Sequence, residues 1–152
     1  MPSRRRRNAP AGVIDEYAAI LRAADGVEQT LAYLAATRTR VWRRRLLRGC
    51  MPVSTSLRDH YEFAERPGGT LAEVEIVIGR LYELSVARRQ HAQLMAHVAE
   101  LLAAINRAGD GPELPADLPG WAAQLVAAIR GHCRDEVDLI QLRYILDVGV
   151  VD

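Results

Sequence analysis

A chain of 152 residues has room for one domain, and 49% apolar with 26% charged residues is the balance of a globular protein rather than a disordered or membrane-spanning one. Aromatic residues make up only 5%, whereas Ala, Leu and Arg are abundant, which favours helices over a β-sandwich. All basic residues are Arg and none is Lys, which excludes Schiff-base lysine chemistry. The two cysteines, Cys50 and Cys133, form no CxxC pair, which excludes a zinc ribbon and fits a reduced, cytoplasmic setting.

The net charge of +1 hides an uneven distribution of charge along the chain. Residues 1–48 contain eleven Arg and four acidic residues, a net of +7, and residues 49–152 contain nine Arg and fifteen acidic residues, a net of −6. The two parts should therefore attract each other, within one chain or between copies. An isolated basic tail would also be free to bind an outside polyanion.

The N-terminal half predicts a tail and three helices. Residues 1–10 are basic and end at Pro10, which indicates a disordered tail, and no apolar run long enough to span a membrane follows. Apolar spacing predicts a first helix over 12–24, a break at Asp25-Gly26 and a second helix over 27–49. The segment CMPVSTS predicts a loop, and a short third helix over 57–65 stops at residues 66–69.

The C-terminal half predicts two long helices. The segment TLAE, from Thr70 to Glu73, has the form of a capping box, and an apolar seven-residue repeat then predicts about 35 helical residues, roughly 50 Å. A loop rich in Pro and Gly over 109–120 reverses the chain before a last helix over 121–146.

We therefore predict an all-α fold: one helical-bundle domain over 11–152, built on a long antiparallel helical hairpin and preceded by the disordered Arg-rich tail over 1–10. Since so long a helix outreaches a globule of 152 residues, we also expect a homo-oligomer.

A cluster of arginines around one tryptophan is the first candidate site. The arginines spread around most of the second helix and leave its end largely solvated, and Arg beside an aromatic ring suits phosphate contact and base stacking. The alternative is a solvated face that the acidic half of the chain neutralises. The candidate nucleic-acid or anion-binding residues are Arg4, Arg5, Arg6, Arg7, Arg38, Arg40, Trp42, Arg43, Arg44, Arg45 and Arg48.

The long hairpin holds the second candidate site. If the chain reverses near residue 114, His91 lies level with Glu136, and His97 lies level with His132. Histidines and carboxylates at one level of a bundle can bind a metal, although the Glu-x-x-His signature of di-iron bundles is absent and histidines at the edge of an apolar stripe are the alternative.

Arg88 and His91 interrupt the apolar repeat of the long helix. They either set its register, with Arg88 paired to Glu136 or Asp135, or line a cavity that attracts an anion. The candidate ligand- or metal-binding residues are Arg88, His91, His97, His132 and Glu136.

Nucleophilic chemistry has little support in the sequence. Cys133 follows His132 directly, and adjacent helical side chains point about 100° apart and form no working pair. Cys50 lies in the predicted loop near Arg48, which would lower the pKa of its thiol.

We interpret the chain as a non-enzymatic helical interaction or scaffold protein that self-associates, needs no cofactor and does not bind a membrane. Its Arg-rich N-terminal third would engage an acidic protein partner or nucleic acid. The alternative is a small helical enzyme or a ligand- or metal-binding protein with its site between the two long helices.

Overall fold

The fold is given by a computed structural model that describes residues 11–37, 39–78 and 81–148. Helices account for most of these residues and no strand occurs among them, so the predicted all-α fold is confirmed. The predicted tail over 1–10 lies outside the described residues. The helices are α1 (Ala11–Thr37), α2 (Trp42–Glu65), α3 (Thr70–Ile78), α4 (Leu81–Arg107) and α5 (Leu118–Val148).

Four of these helices form a bundle in which α1 and α4 each pack against α2 and α5. Near the start of α2, the Arg45 guanidinium covers the ring of Tyr33, close to the end of α1. At the other end of α2, the ring of His60 contacts that of Tyr17, close to the start of α1. The two helices are therefore antiparallel, and the connections that follow alternate the direction of the chain around the bundle.

The pairing of α4 with α5 follows the same antiparallel order. Gln90, early in α4, bonds Asp135, and the ring of His97, one to two turns later, lies beside that of Trp121, early in α5. The four bundle helices and α3 share one apolar core. Its largest fully buried apolar side chains are Trp42, Ile20, Leu46, Leu57, Leu71, Leu84, Leu101, Ile105, Leu125 and Ile129.

The predicted break at Asp25-Gly26 is wrong, because α1 continues through it. A helical glycine costs about 1 kcal/mol relative to alanine. Ala24 and Val27, on either side of the pair, are fully buried, so packing on the bundle outweighs that local cost. Thr30 donates a hydrogen bond from its hydroxyl to the Gly26 carbonyl, which occupies that oxygen within the helix.

The predicted loop over 50–56 is also wrong, as is the predicted helix end at Gly49, because α2 runs through both. Cys50, Val53 and Leu57 are buried on one face of α2, whereas Pro52 is exposed, so the proline is accommodated on the solvent side. Gly49 is needed for close packing: a Cβ there would lie 2.6 Å from the Thr30 hydroxyl oxygen of α1. The predicted second and third helices are therefore redistributed between α1 and α2.

The turn between α2 and α3 lies where the sequence predicts a stop. Gly68 has a φ of +77°, which favours glycine, and a Cβ at Gly69 would lie 2.2 Å from the Phe63 carbonyl oxygen. The Thr70 half of the predicted capping box is wrong, because the Thr70 hydroxyl is buried and makes no hydrogen bond with the described residues. The helical hydrogen bonds of α3 begin with the Glu73 amide, which donates to the Gly69 carbonyl.

The single straight helix predicted from Thr70 onward is not what forms. Arg88 of α4 bonds Glu75 of α3 at 2.9 Å, yet in one straight helix their Cα atoms would lie about 20 Å apart, too far for the two side chains to bridge. The chain therefore changes direction between α3 and α4, and α3 packs against α2 and α5. The described part of α4 begins at Leu81 and ends at Arg107.

The loop between α4 and α5 reverses the chain as predicted, although α5 begins at Leu118, before the predicted start at Trp121. Trp42 donates a hydrogen bond from its indole nitrogen to the Gly111 carbonyl at 2.9 Å. This bond fastens the reversing loop to the first residue of α2.

Candidate metal centre

Four buried side chains that carry metal-ligating atoms converge inside the bundle. His60 comes from α2, His91 from α4, and both His132 and Glu136 from α5. Each is only 1–2% exposed, and one ligating atom from each lies within 4.8 Å of the others. We call this group the His₃Glu cluster.

Each member of the His₃Glu cluster occupies a position on the buried stripe of its helix. His60 follows Val53 and Leu57 at helical spacing in α2. His132 and Glu136 are four residues apart and so share one face of α5. These polar residues therefore stand where an ordinary bundle would place apolar side chains.

The Glu136 carboxylate is the centre of the cluster. Its Oε2 lies 2.8 Å from His60 Nε2, and its Oε1 lies 3.1 Å from His91 Nε2. His132 Nε2 is further away, 3.7 Å from Oε2. Tyr17, from α1, donates a hydrogen bond to Oε2 at 2.7 Å, so all four helices of the bundle contribute to the surroundings of this carboxylate.

Most of these short distances are not hydrogen bonds. The Nε2 atoms of His60 and His91 approach the carboxylate without the angles that an N–H···O bond needs, and His132 Nε2 and Glu136 Oε1 likewise make no hydrogen bond with any described residue. Buried polar atoms normally have partners, and leaving one without costs about 1–3 kcal/mol. Several such atoms that face one point indicate a site that is arranged to bind an additional group.

A glutamine fixes the orientation of one ring in the cluster. Gln90 donates from its side-chain nitrogen to an Asp135 carboxylate oxygen at 3.2 Å, which turns its side-chain oxygen toward His132 Nδ1, 2.9 Å away. His132 therefore donates from Nδ1, and its Nε2 carries a lone pair toward Glu136. In metal sites, a ligating histidine typically makes a hydrogen bond of this kind through its other ring nitrogen, and that bond orients the ring.

The protonation states suit a metal ligand set. Burial lowers the pKa of His132 to about 4, against the opposing charge of Glu136, so the ring is neutral at pH 7. Burial raises the pKa of Glu136, but the close approach of the His60 and His91 Nε2 atoms outweighs it and holds that pKa well below its usual range. Burial and the charge of Glu136 raise the pKa of Tyr17, which stays a hydroxyl donor.

The structure brings together three of the five residues that the sequence offered for a ligand or metal site: His91, His132 and Glu136. It adds His60, which the sequence analysis missed. The signal for His60 was available, because it continues the apolar stripe of α2, but the predicted loop over 50–56 hid that continuity.

The other two predicted ligands lie elsewhere. His97 is half-buried and its ring centroid lies 6.2 Å from that of Trp121, away from the cluster. Arg88 bonds Glu65 and Glu75, each at 2.9 Å, rather than Glu136 or Asp135, so the predicted pairing is wrong. The Arg88 guanidinium therefore connects α4 to α2 and α3 and does not lie between α4 and α5.

The Arg-rich candidate surface is only partly as predicted. Trp42 is 1% exposed and so cannot stack on a base, and Arg43 has partners in its own chain, Asp110 and Asn106. Arg45 lies over the ring of Tyr33. Exposed side chains remain at Arg40, Arg44, Arg45 and Arg48, and the candidates Arg4, Arg5, Arg6, Arg7 and Arg38 lie outside the described residues.

Both cysteines are buried. Burial raises the pKa of the Cys50 thiol to about 11, so the lowering predicted from Arg48 is wrong, because Cys50 lies in the core face of α2 rather than in a loop. Burial and the charge of Glu136 raise the pKa of Cys133 to about 12. Neither thiol is therefore an activated nucleophile at neutral pH.

Comparison with protein-family models, with curated proteins and with solved structures gave no significant match. Among the described helices, none combines the length and the apolar character needed to cross a membrane.

Proposed function

We propose that this protein binds one divalent first-row transition-metal ion through His60, His91, His132 and Glu136. The observation that carries the proposal is the convergence of four buried ligating side chains from three helices, several of whose atoms have no hydrogen-bond partner in the part of the chain that the structure describes. A bound cation would give those atoms the partner that burial otherwise denies them.

The ligand chemistry favours an ion of borderline softness. Three imidazole nitrogens and one carboxylate oxygen suit Zn²⁺ or Fe²⁺ better than Ca²⁺ or Mg²⁺, which prefer oxygen ligands throughout. In a tetrahedral zinc site, bonds of about 2.0–2.1 Å place ligand atoms roughly 3.3 Å apart. The present separations, at most 4.8 Å, require only small side-chain movements to reach that arrangement.

A purely structural polar network is the competing explanation. Such networks are stable inside a core when every donor and acceptor is satisfied. The His₃Glu cluster does not meet that condition. Glu136 and His132 have ordered outer contacts, since Tyr17 bonds Glu136 and Gln90 bonds both His132 and Asp135, whereas the Nδ1 atoms of His60 and His91 have no partner among the described residues. Ordered outer contacts at Glu136 and His132 around partnerless inner atoms favour a metal centre over a network.

The test is metal content and affinity of the purified protein. We expect native mass spectrometry to find one Zn²⁺ or Fe²⁺ per chain, and calorimetric titration of the metal-free protein to give one site. His60→Ala, His91→Ala, His132→Ala and Glu136→Gln should each weaken binding by roughly a hundredfold or more, since each removes a ligand or its charge.

His97→Ala is the matched control, because His97 lies in the same helix as His91 and outside the cluster. It should keep the affinity of the unchanged protein. The proposal fails if the unchanged protein binds none of Zn²⁺, Fe²⁺ and Co²⁺ at micromolar concentration, or if His97→Ala weakens binding as much as the cluster variants do.

A second proposal concerns the Arg-rich N-terminal third, which we propose engages an acidic protein or nucleic acid, in a protein that self-associates in the cytoplasm. The exposed Arg40, Arg44 and Arg48 support it, since solvated guanidinium groups contact phosphates readily. Binding to a labelled DNA duplex should weaken with salt and with Arg44→Glu plus Arg48→Glu, whereas Arg134→Glu, an exposed arginine of α5, serves as the control. Equal binding by both variants would contradict this second proposal.

A further inference from the structure

A cavity of about 350 Å³ lies between α4 and α5, directly against the His₃Glu cluster. Its inner wall includes Glu136, a proposed metal ligand, and Gln90, which orients His132. A cavity of about 150 Å³ can hold benzene, so this one has room for a molecule of about two rings. Access to a metal centre from such a cavity is what a ligand-binding or reactive metal site needs and a closed structural site lacks.

The walls of this cavity are mostly apolar. The apolar side chains that line it are Val86, Ala87, Leu139, Leu142 and the ring portion of Tyr82. Tyr82 is 74% exposed, which places an aromatic side chain where the cavity opens to solvent. The occupant should therefore be mainly hydrocarbon or aromatic, since a polar body would lose its hydration without replacement.

The described charged residues that line the cavity all have one sign. Besides Glu136, whose charge the metal would offset, they are Glu83, Asp135 and Asp138, and none of the lining residues that the structure describes is Arg. This lining opposes an anionic ligand and favours an uncharged or cationic one.

We propose that this cavity binds a small, mainly apolar molecule without negative charge and presents its polar end, as a fifth donor beside the four protein ligands, to the metal on the Glu136 side. The inference rests on the proposed metal centre and specifies what approaches it. Gln90 forms the boundary between cavity and metal through its hydrogen bonds to His132 and Asp135. The occupant therefore lies next to the ligand shell rather than in a remote pocket.

The test uses the protein reconstituted with Co²⁺, whose visible absorption reports its coordination, and the probe 4-phenylimidazole, which joins an apolar ring to a nitrogen donor and is uncharged at pH 8. We expect saturable binding with a change in the cobalt bands. The anion 2-naphthoate, of similar size, should bind roughly tenfold more weakly or not at all.

Val86→Phe fills the cavity, and Leu142→Phe fills it from α5 in case the first variant folds poorly. Either variant should keep the Co²⁺ spectrum and should bind the probe roughly tenfold or more weakly. Val41→Phe is the matched control, because Val41 is exposed and lies outside the cavity lining, next to the start of α2. It should bind both Co²⁺ and the probe normally.

The outcomes separate the two proposals. Normal Co²⁺ uptake without probe binding, or with probe binding unchanged in both filled variants, overturns the cavity inference and leaves the metal centre standing. Tighter binding of 2-naphthoate than of 4-phenylimidazole overturns the charge preference and with it the proposed ligand class. Absence of Co²⁺ uptake overturns the metal centre itself, and the inferred approach of a ligand to that metal falls with it.

Discussion

Two polar networks connect the helices of this bundle, and they differ in the state of their atoms. On the surface, Arg130 of α5 bonds Asp25 and Glu28 of α1, each at 2.8 Å, and every partner is accessible to water. In the core, His60, His91, His132 and Glu136 crowd together with several atoms that make no hydrogen bond. Both networks join helices, but only the buried one would be costly as it stands, because its side chains are only 1–2% exposed.

The surface network therefore only connects helices, whereas the buried network is arranged to bind an additional group. Exposed ion pairs contribute little to stability because solvent competes with both partners. A buried group of imidazole rings around one carboxylate contributes to stability only if its unused donors and acceptors are occupied. Changes to the buried network should therefore have larger effects than changes to the surface network.

The largest effect should come from adding the metal. Saturating Zn²⁺, at about a thousand times its dissociation constant, should raise the free energy of unfolding by roughly 4 kcal/mol, because the folded state alone presents the assembled site. Thermal unfolding followed by circular dichroism measures this. Glu136→Gln, which should bind Zn²⁺ about a hundredfold more weakly, should reduce the rise to about 1.4 kcal/mol or less, and an equal rise in that variant would mean that Zn²⁺ binds elsewhere.

Next in size is the effect of the glutamine that orients His132. Gln90→Ala should weaken metal binding by roughly 10–100-fold, as loss of an outer hydrogen bond to a ligating histidine does in other metal sites. Gln93→Ala is the control, because Gln93 is an exposed residue of the same helix outside the cluster. Equal affinities of the two variants in calorimetry would remove Gln90 from the site.

Tyr17→Phe should have an effect of similar size, on stability rather than on metal affinity. It removes the hydroxyl that bonds Glu136 at 2.7 Å and leaves the apolar ring in place, so the free energy of unfolding should fall by about 1.5–3 kcal/mol in the metal-free protein. Urea unfolding measures the change. Tyr33→Phe, on an exposed tyrosine of the same helix, should leave stability nearly unchanged, and a similar loss in both variants would show that the Glu136 bond has no special weight.

The smallest effect should come from the surface network. Arg130→Gln should lower the unfolding free energy by less than Tyr17→Phe does, and added salt should erase the difference from the unchanged protein. Unfolding in urea at low and at high salt tests this. A loss larger than that of Tyr17→Phe, or one independent of salt, would contradict the contrast between the two networks.

The sequence allowed prediction of features that depend on one helix or one turn, but not of features that depend on packing between helices that are not consecutive. The level of His91 against Glu136 could be predicted, since one short reversal fixes the offset between two consecutive helices. His60 could not be placed, because its approach depends on α2 being continuous from Trp42 to Glu65. Local signals at Gly49 and Pro52 argued against that continuity, and only burial of Cys50, Val53 and Leu57 overrides them.

The sequence by itself determined that this chain is all-helical, that it turns at residues 66–69 and reverses between α4 and α5, because helix propensity, glycine and proline act locally. The tertiary structure decided where α1 and α2 meet, that Trp42 is buried rather than available to a base, and that Arg88 binds Glu65 and Glu75. It also decided that three histidines distant in sequence surround one carboxylate. These features follow from packing between helices, which no single stretch of sequence encodes.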